Sequence, residues 1–143
     1  IYRTLAHPPR VGDVPWEQVK LFWGDERWVP YEDDQSNFRM VKETLLRDLP
    51  ALGPKVFGVE TNLASPEAGA VAYERTIRRE LAVPEGELPV FDVVLLGMGD
   101  DGHFASIFPG SPLVSEQSST VCFPAAHPET KQMRVTISAN ALL

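Results

Sequence analysis

Phe91-Asp92-Val93-Val94-Leu95-Leu96-Gly97-Met98-Gly99-Asp100-Asp101-Gly102-His103 is the stretch on which the fold assignment turns. Its first six residues are apolar apart from Asp92, as in a strand buried on both faces, and a glycine-rich loop follows from Gly97 to Gly102. A short helix is expected next, from His103 to Ile107. Similar pieces recur outward from this centre. Lys20-Leu21-Phe22-Trp23 lies between the turn signal Gly12-Asp13-Val14-Pro15 and Gly24, and reads as another buried strand; Val56 to Val59 reads as a third. Ser36 is placed to cap a helix over Asn37 to Asp48, where Phe38, Val41, Leu45 and Leu49 share one face, with a stop at Leu49-Pro50. Ser65-Pro66-Glu67 combines a cap, a first-position proline and a first-turn acid. It opens a helix that should reach about Ala82 and bury Ala70, Tyr73, Ile77 and Leu81. Thr120 to Phe123 reads as a strand. Met133, Val135 and Ile137 alternate with Arg134, Thr136 and Ser138, which predicts a strand with one wetter face. Strands alternating with helices predict an α/β fold with a mainly parallel sheet.

Composition narrows the function. The chain has 143 residues, the size of one domain, taken here as 1–143, with no internal repeat, low-complexity tract or linker. Thirteen Lys and Arg against 20 Asp and Glu give a net charge of −7, which argues against a nucleic-acid partner, since phosphate backbones are gripped by clustered cations. No apolar run approaches the ~20 residues that span a bilayer, so no membrane partner is expected. A single cysteine, Cys122, excludes an internal disulfide and suits a cytoplasmic location. In its apolar surroundings it reads as a buried hydrophobe. With His7 and His127 it makes no zinc spacing, and neither a metal nor any other cofactor is expected. Trp16, Trp23 and Trp28 read as core or loop anchors. Ile1 to Ala6 resembles the end of a helix, and Leu142-Leu143 falls within an apolar run, so both ends are expected to continue in a longer chain.

Gly97 to Gly102 matches G-x-G-x-x-G, the dinucleotide fingerprint. The match fails on charge: Asp100 and Asp101 would put two negative charges where a pyrophosphate must sit. An acid ~20 residues on should follow a second strand, whereas Glu116 lies in a polar stretch. A proton-transfer site fits better. Asp101 and His103, one glycine apart, can both enter a cleft at a strand end. Histidine titrates near neutrality and accepts a proton from water, and a nearby carboxylate orients it. The plainer alternative makes His103 a helix cap and Asp101 a solvated loop acid. Gly24-Asp25-Glu26-Arg27 follows another strand, and its arginine suits phosphate or an oxyanion. Alone, Asp25 and Arg27 read better as an ordinary ion pair that stiffens a loop.

Together these segments resemble the 6-phosphogluconolactonase family, within the superfamily that also holds glucosamine-6-phosphate deaminases. The resemblance rests on Phe22-Trp23-Gly24-Asp25-Glu26-Arg27-Trp28-Val29-Pro30 and Asp34-Gln35-Ser36-Asn37-Phe38. It rests above all on Leu95 to Gly110, read as LLGMGDDGHFASIFPG, with weaker matches at Tyr73-Glu74 and Arg134-Val135-Thr136. It implies a Rossmann-like sheet flanked by helices and metal-free hydrolysis of 6-phospho-D-glucono-1,5-lactone, a small-molecule partner, to 6-phosphogluconate in the pentose phosphate pathway. By motif, His103 would be the general base, Asp101 would hold its imidazole, Arg27 would bind substrate and offset developing charge, and Asp25 would shape the site. Gly99 and Gly102 would join the substrate contacts, with Lys131 and Arg134 as basic residues for the phosphate. The family's Ser-Gly-Gly phosphate loop and a C-terminal lysine have no counterpart in this sequence.

Two rival readings remain. Amino-sugar-phosphate isomerases of the same superfamily resemble the chain at Asp25 and at Asp101-Gly102-His103. They carry a glutamate where this chain has Phe108, which cannot move a proton, and tend to have Tyr in place of Arg27. A non-catalytic sugar-phosphate-binding regulator would share the fold without needing a base.

Overall fold

The computed structural model describes residues 1–49 and 53–143. Helix α1 (Tyr2–Ala6) leads through two 3-10 turns to strand β1 (Lys20–Phe22). Strand β2 (Asp25–Arg27) follows at once, then helix α2 (Asn37–Thr44), strand β3 (Lys55–Phe57) and the long helix α3 (Pro66–Leu81). The chain ends with strands β4 (Cys122–Ala126) and β5 (Met133–Ile137) and the single-turn helix α4 (Ala139–Leu142). No described helix is long and apolar enough to cross a membrane.

The helices form where local chemistry asks for them. Ser36 Oγ accepts from Arg39 N at the start of α2, and Ser65 Oγ accepts from Ala68 N ahead of Pro66 in α3. α3 stops at Ala82, which takes the left-handed conformation (φ 52°). Val41 from α2, Leu45 just after it, and Ala70, Tyr73 and Ile77 from α3 enter the core with Trp16 and Trp23, while Leu81 is half-buried. α2 ends at Thr44 and a 3-10 turn continues to Asp48. Of the stop expected at Leu49-Pro50, Pro50 lies outside the described residues.

Helices flank a small parallel sheet, as the alternation of elements implies. β1 and β3 pair in parallel, Leu21 opposite Val56. A second sheet, antiparallel and ordered β2-β5-β4, was not legible in that alternation. The chain passes from β1 into β2 through Trp23-Gly24 alone, so Asp25 stands at the junction of the two sheets. Register is fixed by Asp25 opposite Thr136, Glu26 opposite Val135 and Arg27 opposite Arg134. Directly opposed residues share a face. Asp25, Arg27, Arg134 and Thr136 therefore lie on one side of this sheet, with Glu26 and Val135 on the other.

Three expectations need correction. Residues 91–96 form no strand: among the described residues no neighbour pairs with their backbone, and Val93 is 76% exposed. The helix expected at His103 to Ile107 is a tight turn, because Gly102 (φ 86°) and Ala105 (φ 48°) leave the right-handed helical region and Phe104 bridges Met98 and Ile107. β5 has no wet face. Arg134, Thr136 and Ser138 are as buried as the apolar residues between them, because that face meets the loop around Ser106.

Candidate active site

Residues 98–104 make a closed loop. Gly99 N donates to His103 O at 2.8 Å and Gly102 N to Gly99 O at 2.9 Å, which returns the chain so that Asp101 and His103 project together. Asp101 Oδ1 lies 2.5 Å from His103 Nδ1 and also accepts from His103 N at 3.2 Å. The hydrogen bond from the imidazole, seconded by the backbone bond, holds the Asp101 carboxyl below its ordinary value. An ionised carboxylate only accepts, so Nδ1 carries a proton, and in the neutral imidazole the lone pair then falls on Nε2. The loop thus presents an imidazole in the tautomer a base requires. Gly99 has to be glycine here, since a Cβ would overlap the ring atoms Cε1 and Nδ1 of His103. Gly99 and Gly102 spend their N–H groups within the loop and have none left for substrate.

The sheet junction supplies the charged half. Asp25 Oδ1 accepts from Asn37 Nδ2 at 3.1 Å and Oδ2 from Ser106 Oγ at 2.6 Å, with Arg134 Nη1 3.7 Å from Oδ2. Arg27 donates through Nη1 to Gln35 O at 2.6 Å. Glu26, 1% exposed, fixes this strand to its neighbours. Its carboxylate accepts from Arg27 N, Asn37 N and Phe38 N at 2.7–2.8 Å, pinning the N-terminus of α2 to β2 and carrying Asn37 to Asp25. Burial raises its pKa against the opposing pull of those backbone bonds.

Arg27 and Arg134 stand opposite each other on one face, an arrangement that costs energy unless an anion is shared. Each keeps a buried Nε without a hydrogen-bond partner among the described residues. Burial first, and the Arg27 charge second, lower the Arg134 pKa from its usual value. The Arg134 guanidinium lies over the Phe108 ring, 5.5 Å from its centroid, and the His103 ring packs against the same phenyl group at 4.7 Å. Phe108 therefore packs against both the imidazole and the guanidinium. Asp25, Arg27, Arg134, His103 and Gly99 all border one cavity of about 850 Å³, which Leu21, Phe22 and residues 93–98 also line.

Each expected residue can now be located. His103, Asp101, Arg27, Asp25 and Arg134 come together from three separate segments, and Gly99 shapes the floor. Lys131 does not join them. It caps the hairpin between β4 and β5, and its Nζ turns back to Pro128 O at 2.5 Å. Sequence reasoning passed over Asn37, Ser106 and Glu26, although all three lie inside the segments it singled out. Among the described residues, no three His, Cys, Asp or Glu side chains converge on a point that would hold a metal ion.

Comparison with known proteins fits this geometry. The family model for glucosamine-6-phosphate isomerases/6-phosphogluconolactonase matches residues 1–143. This chain belongs to that family. It is 42% identical over 142 residues to the 6-phosphogluconolactonase of Treponema pallidum, covering 99% of this chain and 57% of that protein. The solved structure of 6-phosphogluconolactonase from Trypanosoma brucei superposes with a TM-score of 0.76 at 36% identity, covering 99% of this chain and 59% of that one. For a 6-phosphogluconolactonase from Shewanella baltica the values are a TM-score of 0.80 and 31% identity, with 99% and 56% covered. The chain thus spans somewhat more than half the length of these family members.

Proposed function

We propose that this chain carries the hydrolytic site of a cytoplasmic 6-phosphogluconolactonase. It opens 6-phospho-D-glucono-1,5-lactone to 6-phosphogluconate, a step of the pentose phosphate pathway, as one α/β domain over residues 1–143. The observation that carries the reading is the 2.5 Å contact from Asp101 to His103 Nδ1, which leaves Nε2 basic beside a cavity lined by two arginines. In the mechanism, Nε2 takes a proton from water as the water oxygen attacks the lactone carbonyl. The carbonyl oxygen gains a full negative charge in the tetrahedral intermediate, and Arg27 and Arg134, which line the cavity, offset that charge. Collapse of that intermediate breaks the bond to the ring oxygen, and the imidazolium returns its proton to the leaving alkoxide. Asp101 keeps the charge that forms on His103 paired throughout. Arg134 also serves the substrate's phosphate or its oxyanion, while Asp25 holds the face on which both arginines lie.

Phe108 supports a lactonase over an isomerase that shuttles protons between carbons. It fills the space between His103 and Arg134 with a ring that has no proton to give. The test is hydrolysis of freshly generated lactone against its spontaneous background, alongside His103→Ala. Loss of a positioned base should lower kcat/KM by about 10²–10⁴-fold. A variant that keeps full activity would refute the role of His103 while sparing the substrate. A protein that binds 6-phosphogluconate without turnover would be a regulator.

A further inference from the structure

The geometry points to Ser106 as a positioning residue that keeps Arg134 available to an anionic ligand by standing between it and Asp25. Ser106 is fully buried. Its Oγ donates to Asp25 Oδ2 at 2.6 Å and accepts from Arg134 Nη1 at 3.4 Å, whereas Nη1 and Oδ2 are 3.7 Å apart. A guanidinium and a carboxylate with nothing between them close to about 2.7–2.9 Å and tend to pair through two parallel bonds. Here that closure is blocked. A hydroxyl donates and accepts at once, so one small group satisfies an oxygen of the acid and a nitrogen of the base without letting them meet.

Ser106 cannot drift from this place. Its N–H donates to Thr136 Oγ1 at 3.2 Å, and the turn at Ala105 (φ 48°) is closed by Ile107 N donating to Phe104 O at 2.9 Å. The other Asp25 oxygen is held by Asn37, and the guanidinium rests on Phe108 with its Nε without a hydrogen-bond partner among the described residues. The spacer therefore leaves a free edge of Arg134 beside Arg27. Ser106 also lies three residues after His103 in the same loop, so the bond that spaces Asp25 from Arg134 ties the base-bearing loop to the cationic sheet. Without the hydroxyl, Asp25 would capture Arg134 and cancel much of the charge offered to the cavity.

This inference rests on the reading that Arg134 meets an anionic part of the substrate. The test separates the two. Wild type, Ser106→Ala and Ser106→Cys are titrated with inorganic phosphate and with 6-phosphogluconate by calorimetry, and kcat and KM are measured for the lactone. Cysteine fills the space but is a weak donor, and provides the measurement if the alanine variant does not fold. Ser106→Ala should bind phosphate about tenfold more weakly, the effect of losing one bond to a charged group, and Ser106→Cys, whose sulfur still fills the space but bonds Asp25 only weakly, should fall between it and wild type. KM should rise in step and kcat should stay nearly constant. Unchanged phosphate affinity, or a fall in kcat at constant KM, would overturn the spacer role. If the variants weaken phosphate binding but wild type does not hydrolyse the lactone, the proposed function fails and the spacer stands. If wild type is an active lactonase and Ser106→Ala binds phosphate normally, the spacer fails alone.

Discussion

Gly99→Ala is the substitution that bears most directly on the base. A methyl group at this position would overlap Cε1 and Nδ1 of His103 and sit 2.9 Å from Asp101 Oδ1. Ordinary contact begins at about 3.4 Å, so the imidazole must retreat by about 1 Å, or rotate off Asp101, to make room. The backbone of Gly99 is not in the left-handed region, so alanine imposes no conformational strain of its own. The lesion should therefore fall on the geometry of Asp101 and His103 and leave the fold intact. A displacement of about 1 Å at a reacting group costs on the order of 10²-fold in rate. The assay is kcat/KM for lactone hydrolysis, with thermal melting as the check on folding. Gly12→Ala, away from the cavity and where an added Cβ meets nothing within 4 Å, serves as the control. Gly99→Ala with wild-type kcat/KM and an unchanged melt would refute the argument, since the base would then be acting from somewhere other than the position beside Gly99.

Further outcomes follow from the packing and the charges. Gly69 in α3 lies under the Trp28 ring, which an added Cβ would overlap; Gly69→Ala should cost about 1–3 kcal/mol by denaturant titration and shift Trp28 fluorescence. Glu74 pairs with Arg78 at 2.9 Å and accepts from Val121 N and Cys122 N, so Glu74→Ala strands buried donors and should destabilise by about 3 kcal/mol in the same titration. The hydrogen bond with His103 holds the Asp101 carboxyl below the ordinary aspartate value, so the pairing stabilises the fold above that ordinary value and the contribution is lost as pH falls through the lower, folded value. Asp101→Asn should flatten that acid limb in melts recorded against pH. Burial, with Glu74 nearby, raises the Cys122 thiol well above its usual range, so alkylation should be slow in the native protein and fast once it is unfolded.

The sequence was most legible where structure is local. Ser36 and Ser65 cap the helices they were expected to cap, and Val41, Leu45, Ala70, Tyr73 and Ile77 fall on the buried faces, because caps and helical periods depend on residues within a turn or two. Residues 91–96 show the limit. Their apolarity reports a preference for burial, but a strand also needs a backbone neighbour at the right distance, and side-chain pattern carries no information about that neighbour. β5 errs in the opposite direction. Its polar positions looked solvent-facing because alternation separates two faces without saying what covers each one, and here the polar face is covered by Ser106, Asp25 and Arg27.

The same distinction explains the site. His103 with Asp101, and Arg27 with Asp25, were visible because each pair is held within a few residues of chain. What joins the pairs was not, because it runs through contacts between distant residues: Ser106 to Asp25, 81 positions apart, and Arg134 opposite Arg27 in the sheet. Those contacts decide the chemistry. A histidine with a carboxylate partner is common in loops, and an arginine near an aspartate is commonly a neutral ion pair. On the proposed mechanism, two opposed arginines kept from full neutralisation would favour an anion in the cavity, beside an imidazole oriented to take a proton from water. If that coupling is real, restoring the closed Asp25–Arg134 pair with Ser106→Ala and displacing the base with Gly99→Ala should act on different constants, KM and kcat. Their effects should then multiply in the double variant. A double variant no worse than Gly99→Ala alone would mean that the cationic half contributes nothing independent of the base.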